Sequence, residues 1–104
     1  MALLIIQRGC APDKNPFNLR RGVNKQVTMR TNLDKVTIEF DNGSPFSGDR
    51  YTFGRNKVCK PKILYDQINF PKSGCAEFTY VIKGKNGKKC SDNFEGPPRM
   101  RIRT

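Results

Sequence analysis

The sequence predicts an all-β chain, a single antiparallel β-sandwich of about seven short strands in a Greek-key arrangement, with a small β-barrel as the alternative. Three observations carry that expectation. Apolar and polar residues alternate with a period of two, most clearly where Ala76, Phe78, Tyr80 and Ile82 interleave with Glu77, Thr79, Val81 and Lys83. The alternating runs are short and are separated by turn-forming Gly, Pro, Asn and Asp. No stretch places its apolar residues on one helical face.

Residues 75–90 organise the expectation. Asn86-Gly87 tolerates the positive φ angles of a tight turn, so the alternating run from Cys75 continues as a hairpin towards Cys90. A lone ribbon is marginal in water, so other strands must cover Phe78 and Tyr80. In chain order, residues 3–7 form a first apolar strand. Residues 9–22, with Pro12, Asn15, Pro16 and Asn18, read as a long irregular loop carrying the basic pair Arg20-Arg21. Val27 and Met29 alternate in one run, and Val36, Ile38 and Phe40 in the next. The separator Asn32-Leu33-Asp34 reads as a tight turn that pairs the two runs antiparallel. Tyr51 and Phe53 mark a short strand. Residues 58–65 are strand material interrupted by Pro61, which confines the first half to an edge or a bend. The last run, Arg99-Met100-Arg101-Ile102-Arg103, sends Met100 and Ile102 inward and three arginines outward.

At 104 residues the chain, residues 1–104, is expected to be one domain with one modest core. Twenty Lys and Arg against nine Asp and Glu give a formal charge of +11, which favours an anionic partner: an acidic protein, nucleic acid or another polyanion. The absence of histidine removes Ser-His and Cys-His nucleophile pairs and every imidazole metal ligand. Neither a catalytic residue nor a metal or cofactor is expected. Asp41 and Asp49, flanking a turn, are the nearest approach to a carboxylate pair, and turn chemistry explains both. Gly84-Lys85-Asn86-Gly87-Lys88-Lys89 has too few residues between its glycines for a phosphate loop, and its flanks read as strands.

Cys10, Cys59, Cys75 and Cys90 are an even set in a small loop-rich chain and suggest two disulfides, with three connectivities open. Cys59 with Cys75 and Cys10 with Cys90 is the first pairing to test; four reduced thiols are the alternative. No CxxC spacing supports a zinc site. Disulfides would favour a secreted or periplasmic location over the cytoplasm. The apolar stretch Ala2-Leu3-Leu4-Ile5-Ile6 ends at Gln7-Arg8, too short for a signal-peptide core or a membrane span.

Residues 27–40 read as a hairpin, Asn42-Gly43-Ser44-Pro45-Phe46 after them, and a late Phe78-Thr79-Tyr80-Val81 strand follow an order that resembles cupredoxin-like or immunoglobulin-like sandwiches. The resemblance implies the sandwich fold. A cupredoxin copper site needs two histidines, so no copper function comes with it, and the immunoglobulin Cys–Trp–Cys core is missing because the chain has no Trp.

The candidate anion-binding residues are therefore Arg99, Arg101 and Arg103 on one strand face, about 7 Å apart at period two, with Lys83, Lys85, Lys88 and Lys89 around the hairpin turn. Two readings follow. One is a non-enzymatic interaction domain that uses its loops, chiefly residues 9–22; the other is a nonspecific nucleic-acid or polyanion binder that uses these cations. Lysines at turns and arginines on strand edges also serve simply to block edge-to-edge aggregation.

Overall fold

A computed structural model of the chain describes residues 2–85 and 98–104. Among these the fold is all-β, with one short 3-10 turn at Tyr65–Gln67 and two sheets. The strands are β1 (Ala2–Gln7), β2 (Ala11–Pro12), β3 (Phe17–Arg20), β4 (Val27–Thr31), β5 (Val36–Phe40), β6 (Arg50–Phe53), β7 (Cys75–Lys83) and β8 (Arg99–Arg103). One sheet has the order β2-β1-β4 and the other β3-β8-β7-β5-β6. No helix of the described residues is long and apolar enough to cross a membrane.

Period-two alternation decides which side chains go inside. Leu4 and Ile6 of β1, Val27 and Met29 of β4, Val36 and Ile38 of β5, and Met100 and Ile102 of β8 are all fully buried. They join Phe40, Phe46, Phe53 and Tyr80 in one continuous core between the sheets. Burying each of these aliphatic side chains contributes about 1.5–3 kcal/mol. Phe40, Phe46, Tyr51 and Tyr80 form a chain of aromatic contacts with ring centroids 5.6–5.8 Å apart, the offset and edge-on arrangements that ring quadrupoles favour.

The stretch at β7 is central, as its pattern implies. It lies between β8 and β5, pairing Phe78 with Met100 and Tyr80 with Phe40. The expected second arm of its hairpin, with Asn86-Gly87 and Cys90, lies outside the described residues.

Several expectations are corrected. The two runs at Val27–Thr31 and Val36–Phe40 do not form a hairpin: β4 pairs with β1, and β5 pairs with β6 and β7 in the other sheet. Alternation fixes the inward face of each run, and facing inward from opposite sheets satisfies it as well as sharing one sheet. At the end of β4 the Thr31 hydroxyl donates to the Ile6 carbonyl at 2.8 Å while accepting the Leu33 N–H at 3.1 Å, which ties the start of the connection to β1. Nor is the pairing purely antiparallel, because β1 runs parallel to β4 and β3 parallel to β8. The stretch expected to be an irregular loop contains β2 and β3; Phe17 and Leu19 are buried there while Asn18 and Arg20 point out. Residues 58–65 do not form a continuous strand. They reach β4 through isolated bridges at Met29–Cys59 and Gln26–Lys62, and between them the Pro61 carbonyl accepts from Val27 N–H while the proline, having no N–H, returns no bond.

The expected Cys59–Cys75 disulfide is also absent: both residues are free thiols. Cys59 points towards β6, where its Sγ donates to the Thr52 carbonyl at 3.3 Å, and burial pushes its thiol pKa up. Cys75 begins the central strand of the larger sheet, opposite Arg103. The other expected pairing involves Cys90 and lies outside the described residues.

Candidate functional site

The buried Met100 and Ile102 fix the orientation of β8, which turns Arg99, Arg101 and Arg103 onto the outer face of the five-stranded sheet. What surrounds them is set by register. On the β7 side, Arg101 lies opposite Glu77, Arg99 opposite Thr79 and Arg103 opposite Cys75. A single Glu77 oxygen is 3.4 Å from both Arg99 Nη1 and Arg101 Nη2, so one carboxylate is shared by two guanidinium groups.

On the other side, the parallel strand β3 places Asn18 beside Arg101 and Arg20 beside Arg103. Arg20 and Arg103 are exposed and have no carboxylate partner among the described residues. Arg20, Arg101 and Arg103, with Asn18 and Asn24, line an open depression of about 370 Å³ over Leu19. Leu19 is buried, so the floor is anchored in the core.

The rim is held by backbone contacts. Arg20 N–H donates to the Asn24 side-chain oxygen at 3.0 Å, and Arg21 N–H to the Arg103 carbonyl at 2.8 Å. The Tyr65 hydroxyl reaches the carbonyls of Arg20 and Asn24. Burial raises its pKa against the opposing influence of Arg21, which keeps it a neutral donor at neutral pH. Arg21 itself turns away, 2.5 Å from Asp66 and over the Tyr65 ring. Of the basic pair in the sequence, then, only Arg20 faces the depression.

Lys83 and Lys85 do not join this site. Lys83 is on the same outer face as Arg99 but four residues further along β7, about 13 Å at strand rise. Its Nζ is 2.5 Å from Glu39, whose other oxygen is 2.7 Å from Arg50. The hydrogen bond from Lys83 is the largest influence on the Glu39 carboxyl and, with the charge of Arg50 adding to it, holds that group below the usual carboxylate range against the opposing effect of burial, which outweighs Arg50 alone. Lys85 lies 4.0 Å from Asp34, which pairs more closely with Arg55 at 2.8 Å. Lys88 and Lys89 lie outside the described residues. Among the described residues, Lys83 and Lys85 are thus each drawn to a carboxylate rather than to the depression lined by Arg20, Arg101 and Arg103.

The sequence reading missed Asn18, Arg20 and Asn24 as site residues. The signal was present in Phe17-Asn18-Leu19-Arg20, a four-residue alternation hidden among prolines and asparagines. Asp41 and Asp49 are both exposed; the Asp49 carbonyl accepts the Phe40 N–H, closing the turn at the end of β5. Among the described residues no cluster of three or more His, Cys, Asp or Glu side chains is arranged to hold a metal ion.

The arrangement presents three guanidinium groups and two side-chain amides to one open hollow, a donor-rich set suited to anionic oxygens. No family model, no curated protein and no solved structure matches the chain.

Proposed function

We propose that this chain is a non-enzymatic binding domain for anionic partners and engages polyanions, nucleic acid foremost, through Arg20, Arg101 and Arg103. The observation that carries the reading is the side-by-side placement of Arg20 and Arg103 without a carboxylate partner among the described residues, around one depression with Arg101. Arginine forks match the oxygen geometry of phosphate and sulfate groups. Successive outward residues on one strand are about 7 Å apart, close to the through-space separation of neighbouring phosphates along one nucleic-acid strand, so successive phosphates fall within reach. The reading retains the resemblance to cupredoxin-like or immunoglobulin-like sandwiches for the scaffold, without a copper site.

A salt titration of binding to an arbitrary DNA duplex and to heparin tests the proposal. Three phosphate contacts predict that duplex affinity falls about 40-fold between about 50 and 200 mM salt. No binding to either probe at low salt removes the reading. Binding that is insensitive to salt points instead to an interaction domain that uses its loops.

A further inference from the structure

The smaller sheet has an outer face of its own. Met29 pairs with Cys59 and Gln26 with Lys62 in one antiparallel register. Extended along the strands, that register sets Lys60 beside Thr28 and Val58 beside Arg30. Met29 is buried, so Arg30 and the alternate residues Lys60 and Lys62 turn outward, and all three are exposed. Lys60 and Lys62 are about 7 Å apart, with Arg30 diagonal to Lys60 at about 7–8 Å. None of the three has a carboxylate partner among the described residues. The backbone carrying them is fixed by the Gln26 side-chain amide, which donates to the Lys60 carbonyl at 2.7 Å, and by the Cys59 and Pro61 bonds to β4. On the far edge of this sheet Asp13 is already occupied, accepting from Ile5 N–H and lying 3.4 Å from Lys14.

We infer that Arg30, Lys60 and Lys62 form a second face for a nucleic-acid phosphate backbone, on the opposite sheet from Arg20, Arg101 and Arg103, so that one molecule bridges two duplexes. The inference extends the proposed polyanion binding. The two faces lie on different sheets that share one core, and on this reading each engages its own duplex. The second face shares with the first its cations at alternate positions, about 7 Å apart, and whereas Glu77 draws on Arg101 in the first, none of the three cations of the second has a carboxylate partner among the described residues. Simultaneous engagement would raise avidity for crossed or parallel duplexes without any new contact.

The test combines stoichiometry with bridging. Short DNA duplexes carrying donor or acceptor dyes are titrated at low salt with the unmodified chain, with an R30S/K60S/K62S variant and with an R20S/R101S/R103S variant, each checked by circular dichroism. The expected result is two duplexes per unmodified molecule with energy transfer between them, and one duplex without transfer for each triple variant. One duplex per unmodified molecule, or full transfer in the R30S/K60S/K62S variant, overturns the second face. Transfer that persists in both triple variants means bridging by self-association and overturns it too, as does bridging of heparin chains alone. Loss of a site only in R30S/K60S/K62S would leave the second face standing while refuting the proposed role of Arg20, Arg101 and Arg103.

Discussion

Arg20 stands directly beside Arg103 across the parallel β3–β8 ladder, and neither side chain meets a carboxylate among the described residues. Like charges at neighbouring cross-strand positions are destabilising, so the pair costs the fold something that a bound anion would relieve. Arg20→Ala and Arg103→Ala should each reduce the slope of log affinity against log salt by about 0.9 for a duplex probe. Thermal stability should stay the same or rise slightly. Fluorescence anisotropy across a salt series and a thermal melt check both halves.

Glu77 acts in the opposite sense. Its carboxylate draws on both Arg99 and Arg101, and exposed ion pairs of this kind contribute only about 0–1 kcal/mol to stability. Glu77→Gln should therefore leave folding nearly unchanged while freeing two guanidinium groups and removing a repelling charge. The variant should elute from a heparin column at higher salt than the parent; equal or earlier elution would show that Arg99 and Arg101 lie outside the binding surface.

Tyr80 is fully buried, and its hydroxyl has no hydrogen-bond partner among the described residues. A buried unsatisfied hydroxyl costs about 1–3 kcal/mol, so Tyr80→Phe should raise the urea midpoint by an amount equivalent to about 1 kcal/mol. Burial, followed by the charge of Asp13, drives the phenol pKa well above its ordinary value of 10.0. The unfolded chain therefore releases this proton first, and stability holds below about pH 10 and falls above it. The Phe variant should lose part of that alkaline decline.

Glu39 governs the acid side. Lys83, and then Arg50, hold its carboxyl below the ordinary value of 4.5. As pH falls, the unfolded chain takes up this proton before the folded one does. The contribution is complete above the unfolded pKa and disappears as pH drops through the folded value. Glu39→Gln should flatten the fall in melting temperature between about pH 5 and pH 3; an unchanged profile would show that the Lys83–Glu39–Arg50 cluster adds no pH-dependent stability.

Gly54 is a steric test of the join between β5 and β6. A Cβ at this position would lie 2.2 Å from the Asp34 carbonyl oxygen, a backbone atom that cannot rotate away. Gly54→Ala should destabilise the chain by about 1–3 kcal/mol, read from denaturant unfolding. A neutral result would mean that residues 33–35 shift freely.

Inside and outside were legible in the sequence. The alternations at Val36–Phe40 and Arg99–Arg103 placed Ile38, Met100 and Ile102 in the core and the arginines outside, as found. Neighbours were not legible, because a period of two says which face is buried and nothing about which strand lies alongside. That is why Met29 was assigned to a hairpin when its partners are Leu4 and Cys59. The same gap hid the candidate site. Glu77 neutralises Arg101 from 24 residues away, and Arg21 was diverted to Asp66 at a separation of 45. Both depend on register, which charge counting along the chain does not reveal.

The β3–β8 ladder has a consequence for how the protein comes into being. Residues 17–20 wait for residues 100–103 before they have a strand partner, so the depression cannot exist until Arg103 has been synthesised. Distant pairings of this kind slow folding, and a nascent or truncated chain ending before Arg99 would expose Phe17 and Leu19 while lacking the anion site altogether. Binding competence would then arrive only when the β3–β8 ladder closes.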